Sequence, residues 1–263
     1  MENESLLFEY PLKENIRRFL RLESLFKSYQ KNTLSPNAEN HLHALKYLFE
    51  ILDMLEAGDS RSELIKELAR YIEYFKKLTA NPNVEISKLD SFIKQLTQLH
   101  LWTVNYEGKF GDKLRKDNFI SSIKQRSSIP GGNCQFDCPD LFLFLNQSHH
   151  YRQEKLNQFI ADIKGVETSI DVILRLIRDR SNWSKQSAPL GSFMLELDGD
   201  SKGVESKIAN NQLLRIKLNR DSSNIFPEFS CGKHRSNIHF MQFNEQHKKT
   251  PLNQPIEFEL ACC

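Results

Sequence analysis

The sequence predicts an α+β protein, an N-terminal helical bundle packed with a C-terminal antiparallel β-rich domain. Apolar residues recur at three- and four-residue spacing over the first half of the chain, the period of a helix with one buried face. Beyond Trp183 the period falls to two, as in strands with one face in water. Between these regions stands Ile129-Pro130-Gly131-Gly132. No helix continues through it, because proline lacks the backbone donor and glycine favours turn geometry. The expected organisation is a mainly helical domain over 1–128, then a turn, a strand and two further helices over 129–183, then an antiparallel domain over 184–263.

The elements follow in order. Pro11 introduces a helix striped by Ile16, Phe19, Leu20, Leu22, Phe26 and Tyr29. Ser35-Pro36 opens a second, with Leu42, Leu45, Leu48, Phe49, Leu52 and Leu55 inward and Gly58 as its stop. Ser60 and Glu63 have capping-box spacing before a stripe of Leu64, Ile65, Leu68, Ile72 and Phe75. A fourth helix begins near Ser87, and a short basic one is expected from Lys113 to Arg126 with Leu114, Phe119, Ile120 and Ile123 inward. Phe136 to Asn146 reads as a buried strand on length and flanking turn residues. Two helices follow, at about 152–163 and 167–180. Strand alternation then marks Phe193-Leu195-Leu197, Leu214-Ile216-Leu218, Ile238-Phe240 and Ile256-Phe258-Leu260, separated by polar loops at 198–211 and 244–254.

Composition narrows the class. A chain of 263 residues, 39% apolar and 27% charged, can bury a core without staples. The longest apolar cluster, Leu141-Phe142-Leu143-Phe144-Leu145, is far short of the roughly 18 residues of a membrane helix. The acidic start Met1-Glu2-Asn3-Glu4-Ser5 is the reverse of a secretory signal, so a cytoplasmic protein is expected. Five cysteines, an odd number, fit a reducing compartment. The net charge of +2 creates no global field for nucleic acid, but the charge is patterned: six basic residues lie between Lys109 and Arg126 against Asp112 and Asp117.

No catalytic, metal or cofactor pattern stands out. Cys134 and Cys138 make one pair at zinc-like spacing, but a structural zinc site wants a second pair, and adjacent Cys262 and Cys263 ligate one metal poorly. His149-His150 reads as part of a polar loop, and His41 and His43 as solvated or capping residues at a helix start. No phosphate-binding glycine loop occurs. The arginines hold more interest. Arg17 and Arg21 are four apart on one helix face, whereas Arg18, four after Glu14, is expected in a local ion pair. Arg115, Lys116 and Arg126 belong to the basic helix, Arg215 and Lys217 to the polar face of a strand, and Gly232-Lys233-His234-Arg235 to a basic turn. Together they could form a groove for an acidic peptide or a phosphate backbone.

Several segments carry a resemblance. Phe8-Glu9-Tyr10-Pro11-Leu12 with Arg17, Leu20-Arg21 and Glu23 is similar to the N-terminus of the ZapD family of bacterial cell-division proteins. So is Arg61-Ser62-Glu63-Leu64-Ile65-Lys66-Glu67-Leu68. The most specific match is Gln125-Arg126-Ser127-Ser128-Ile129-Pro130-Gly131-Gly132-Asn133-Cys134 with Phe136-Asp137 and Pro139. The end, Phe258-Glu259-Leu260-Ala261-Cys262-Cys263, also resembles that family, and the matches run in the family's order along the whole chain.

The resemblance implies a non-enzymatic cytoplasmic factor at the mid-cell Z-ring. Such a factor is a homodimer that binds the C-terminal tail of the tubulin-like GTPase FtsZ and bundles its protofilaments for septation. It implies no cofactor, no metal and no membrane contact. The family's tail-receiving basic residues match Arg17, Arg21, Arg126 and Arg235 here, with Arg115, Lys116 and Lys233 as neighbours. One position departs: where family members carry a second arginine shortly after the basic turn, this chain has His239, in a segment one residue shorter. A histidine is by default mostly uncharged near neutral pH, which weakens that contact. The alternative is a nucleic-acid binder using the same basic groove, distinguished by tight, steeply salt-dependent binding to random oligonucleotide.

Overall fold

The structure is a computed structural model and describes residues 5–79, 86–196, 211–219, 224–232, 235–244 and 246–263. The chain divides into two compact units, Arg18–Leu174 and Met1–Arg17 with Arg175–Cys263. The divisions fall inside two helices, α1 (Glu14–Thr33) and α9 (Lys164–Asp179). The architecture is α+β: one strand, β1 (Ser5–Pro11), precedes the helices, and the other strands of the antiparallel sheets follow them.

The helical unit adds α2 (Ala38–Glu56), α3 (Ser60–Leu78), α4 (Ile86–Asn105), α5 (Asp112–Arg115), α6 (Asn118–Ser127), α7 (Pro139–Leu145) and α8 (His149–Ala161). At its centre α2 meets α6, α7 and α8. Its buried set of His41, Ala44, Leu45, Leu48, Phe49, Ile51, Leu52 and Leu55 is wider than one stripe, as a helix covered on several sides requires. The expected stripe of α1 is buried at Phe19, Leu22, Phe26 and Tyr29, and the Tyr29 hydroxyl donates to the Leu156 carbonyl at 2.6 Å. Desolvation raises the Tyr29 pKa far above the ordinary phenol value. Side-chain caps set the helix starts: Asn37 accepts from Glu39 N, Asp59 from Ser62 N, Asp117 from Ile120 N and Ser148 from Tyr151 N.

Five local expectations are corrected here. The segment expected as a strand around 136–146 forms α7, because Pro139 suits a first helical turn and Leu141 and Phe144 bury one face. Phe142 and Leu143 are left exposed by the same geometry. The basic helix is two pieces, since Asp117 caps α6 and interrupts any continuation from α5. His149 and His150 are the first turn of α8, not a loop. Ser60 does not cap α3; Asp59 does, which frees the Glu63 carboxylate for a partner elsewhere. That partner is Arg18 at 2.7 Å, while Glu14 pairs with Arg17 at 3.2 Å, so the local pair involves the neighbouring arginine.

The β unit is a sandwich of two antiparallel sheets. One sheet has the order β1-β4-β8-β2, from β1 (Ser5–Pro11), β4 (Leu213–Asn219), β8 (Ile256–Cys262) and β2 (Ser184–Ala188). The other runs β3-β6-β5, from β3 (Ser192–Glu196), β6 (Arg235–Phe243) and β5 (Ile225–Cys231), with β7 (Lys249–Pro251) also on β6. Ile216, Leu218, Ile256, Phe258 and Leu260 from the first sheet close on Ile238 and Phe240 from the second. Phe258 lies 4.9 Å from the Phe240 ring and 5.3 Å edge-on to Phe193. The four strands read from alternation are present, although Leu197 lies outside the described residues. Strands β1, β2, β5 and β7 carry too little alternation to be read. The polar loop at 198–211 is described only at Asn211.

The β2–β3 turn depends on Gly191. Its φ is +66°, and a Cβ there would lie 2.0 Å from the Leu252 carbonyl oxygen. The Gly191 carbonyl also accepts from Phe240 N at 2.7 Å. Gly191→Ala is expected to cost about 2 kcal/mol or more, combining left-handed strain with displacement of the Leu252 segment. Urea unfolding followed by tryptophan fluorescence measures it; a midpoint equal to wild type would mean that the turn relaxes freely.

Candidate functional site

Most of the segments that carry the resemblance hold the fold. In Phe8-Glu9-Tyr10-Pro11, the Glu9 carboxylate receives Arg178 through Nε at 2.9 Å and Nη2 at 2.7 Å, and Arg215 Nε lies 2.9 Å away. Tyr10 stacks on Phe229 with ring centroids 4.6 Å apart and lies under the Arg17 guanidinium. In the Arg61 segment, the guanidinium donates to the carbonyls of Thr103 and Val104 in the last turn of α4, where a helix offers its carbonyls no further N–H donors, and to the Gly108 carbonyl beyond it. In the Arg126 segment, Ser127 Oγ contacts Asn133 Oδ1 at 2.9 Å, and successive turn bonds run Ile129 N to Arg126 O and Gly132 N to Ile129 O. A Cβ on Gly132 would lie 2.2 Å from the Arg126 carbonyl oxygen, so the loop closes only on glycine. The terminal cysteines complete the first sheet: Cys263 exchanges backbone bonds with Leu213, and its thiol lies 3.1 Å from Ser181 Oγ. Burial pushes the Cys262 thiol up to about 11, which suppresses its thiolate near neutral pH.

The basic residues separate into two kinds. Arg115 is committed internally, donating to the carbonyls of Leu52 and Phe110 and to Asp112. Its side chain is only 16% exposed, so it holds α5 against α2 and has little left to offer a partner. Arg21, Lys116 and Arg126 on the helical unit are exposed, and their side chains make no hydrogen bond or ion pair among the described residues. Lys116 lies just before α6 and Arg126 in its last turn, which sets their backbones about 15 Å apart along the axis. On the β unit, Arg17 is partly exposed and poised by Tyr10 and Glu14, and Arg235 is exposed at the start of β6. Lys233 lies outside the described residues. Arg215 and Lys217 both sit over the Trp183 ring, the lysine at 3.8 Å, and are taken up by that contact and by Glu9 and Glu259.

His239 is exposed on β6, between Glu228 of β5 and Ser192 of β3 in register. Ser192 Oγ lies 2.7 Å from its Nδ1, which fixes the ring, while Glu228 is drawn off to Lys249.

One feature of the helical unit was not anticipated. Phe119, Leu143, Phe144, Tyr151 and Phe159 line a groove of about 350 Å³ between α6, α7 and α8, with Lys155, Asp117 and Asp140 at its edge. Leu143 is 63% exposed, and the groove begins one residue beyond Lys116. Reading 136–146 as a buried strand concealed it, because a strand would have hidden the side chains that α7 turns outward. The five cysteines are unpaired thiols, and no group of three or more His, Cys, Asp or Glu gathers as a metal set among the described residues. No helix among them is long and apolar enough to cross a membrane.

The chain is an α+β protein whose helical unit carries exposed basic side chains with no partner among the described residues and, next to Lys116, an apolar groove. Its relatives make the assignment specific. A family model described as "ZapD: Cell division protein" matches residues 20–239. The chain is 32% identical over 258 residues to a cell division protein ZapD of Escherichia coli O17:K52:H18, covering 98% of each chain. It is equally similar, over 259 residues and 98% of each chain, to proteins of that name from Yersinia pestis and Yersinia pseudotuberculosis. The chain belongs to the ZapD family of cell division proteins.

Proposed function

We propose that the protein binds the C-terminal tail of FtsZ through its exposed basic side chains and, as a homodimer, crosslinks FtsZ protofilaments at the division site. The observation that carries this reading is the set of exposed guanidinium and ammonium groups without a partner among the described residues, on a chain of this family: Arg21, Lys116 and Arg126 on the helical unit, with Arg235 on the β unit. An extended peptide covers the separation of Lys116 and Arg126 with about five residues, so one short acidic segment could meet both. The adjoining groove at Phe119 and Leu143 would take an apolar side chain of the same segment. Two such sites per dimer hold two filaments without any catalytic group. Because the contacts are exposed, binding weakens as salt rises.

Co-sedimentation with GTP-assembled FtsZ tests the reading. Pelleting with full-length FtsZ and its loss with FtsZ lacking the tail is the expected pair of results; equal pelleting with both would place the contact elsewhere on FtsZ. His239 offers a graded check. His239→Arg adds a permanent cation on the face that carries Arg235 and is expected to raise the apparent affinity up to about fivefold, the scale of one exposed charge contact. An unchanged pelleting curve would show that β6 stands clear of the tail.

A further inference from the structure

We infer that the corner of the helical unit where α1, α2, α7 and α8 meet is an acid-sensitive lock, closed by neutral His41 and released when that ring takes a second proton. His41 is fully buried, and both ring nitrogens are engaged. Arg152 Nε lies 3.0 Å from Nδ1, and the Thr33 carbonyl oxygen lies 3.2 Å from Nε2. A guanidinium only donates and a carbonyl only accepts, so Nδ1 carries the lone pair and Nε2 the proton. The neutral Nε2–H tautomer is thereby specified.

Arg152 gives the arrangement its sensitivity. It is 6% exposed, and its remaining donors go to the carbonyls of Leu145, Gln147 and Pro36. No carboxylate appears among these acceptors, so the buried cation rests on neutral oxygen and on the imidazole lone pair. Protonating Nδ1 turns that acceptor into a donor facing a donor and sets two cations side by side without a counterion. The His41–Arg152 contact between α2 and α8 then becomes repulsive, and the carbonyls of Leu145, Gln147 and Pro36 lose the group that gathers them.

The surroundings reinforce this. Burial is the main influence lowering the His41 pKa, followed by the Arg152 charge and, more weakly, by His149; the carbonyls of Thr33 and Ser35 oppose it. Arg152 and His149 are the charged or titratable groups acting on the ring, both from α8. The His149 ring lies 5.5 Å from His41, and its Nε2 is buried without a hydrogen-bond partner among the described residues. The sign follows. The folded ring binds its second proton less readily than the unfolded chain, whose value is about 6.5. The lock therefore contributes fully above that value and weakens as the pH falls through it towards the lower folded value.

Hydrogen exchange of the full chain at pH 7.5 and 5.5, corrected for intrinsic rates, tests the lock. Protection in 33–41 and 145–153 is expected to fall up to about tenfold per pH unit below the unfolded value, the effect of one linked proton, while α9 stays unchanged. His41→Gln keeps one donor and one acceptor but cannot titrate, and is expected to remove this pH dependence. The same loss of protection in the variant would overturn the proposal. NMR titration of the wild-type His41 ring gives a reading that does not depend on the variant folding: a ring titrating at or above about 6.5 in the folded protein overturns the lock, and one titrating well below it upholds it.

Discussion

Charge reversal at Arg126 or Arg21 is expected to abolish co-pelleting with FtsZ while leaving the far-ultraviolet circular dichroism unchanged. On the proposed reading each substitution changes an attractive charge contact with the tail into a repulsive one, and like-charge juxtaposition at an interface costs several kcal/mol. Folding is spared because neither guanidinium makes a hydrogen bond or ion pair among the described residues. Arg126 sits in the last turn of α6, where a cation favours the helix, so Arg126→Glu gives up about 0.5 kcal/mol of local stability, too little to unfold the unit. Arg115→Glu provides the contrast. It removes donors from the carbonyls of Leu52 and Phe110 and places a carboxylate beside Asp112, so it is expected to lower the melting temperature. Retained pelleting by both the Arg21 and Arg126 variants would move the tail site away from these residues.

Replacing Arg152 carries the largest expected loss of stability. Arg152→Met keeps most of the side-chain volume but withdraws every donor from the Leu145, Gln147 and Pro36 carbonyls and from His41. Buried acceptors without partners cost about 1–3 kcal/mol each, and partial hydration offsets part of that, leaving a loss on the order of 3 kcal/mol. Chemical denaturation at pH 7.5 measures it. A variant within 1 kcal/mol of wild type, on the order of measurement error plus repacking, would show that the corner is held by apolar packing and not by the arginine.

The elements that were legible in the sequence are those whose own residues carry a period. The stripe from Leu45 to Leu55 places α2, and the alternation from Leu214 to Leu218 places β4, since each pattern repeats long enough to distinguish helix from strand. Leu141 to Leu145 is apolar at every position, so it carries no period, and only the covering of Leu141 and Phe144 by neighbouring helices decides for α7. His41 illustrates a second limit. Its sequence neighbours mark it as a polar residue in a helix start, yet α8 covers it with a residue 111 positions away. The candidate site shows a third. The basic stretch was visible, but the apolar groove beside it depended on α7 turning Leu143 outward.

By itself, then, the sequence determined the α+β class, the helical run and the strand-rich region after it, the family, and a pool of basic residues from which a site could be drawn. Those properties are written in local spacing and in contiguous motifs. Only the tertiary structure decided which members of the pool are free. Arg115 and Arg126 are the same residue type in one basic stretch, yet the first is consumed by carbonyls from α2 and the Phe110 turn, whereas the second faces solvent. Arg17 and Arg18 are adjacent, and their carboxylate partners lie 3 and 45 residues away. A charged side chain is claimed by whichever acceptor the fold brings within about 3 Å, and that proximity is set by packing between distant segments, which local spacing does not encode.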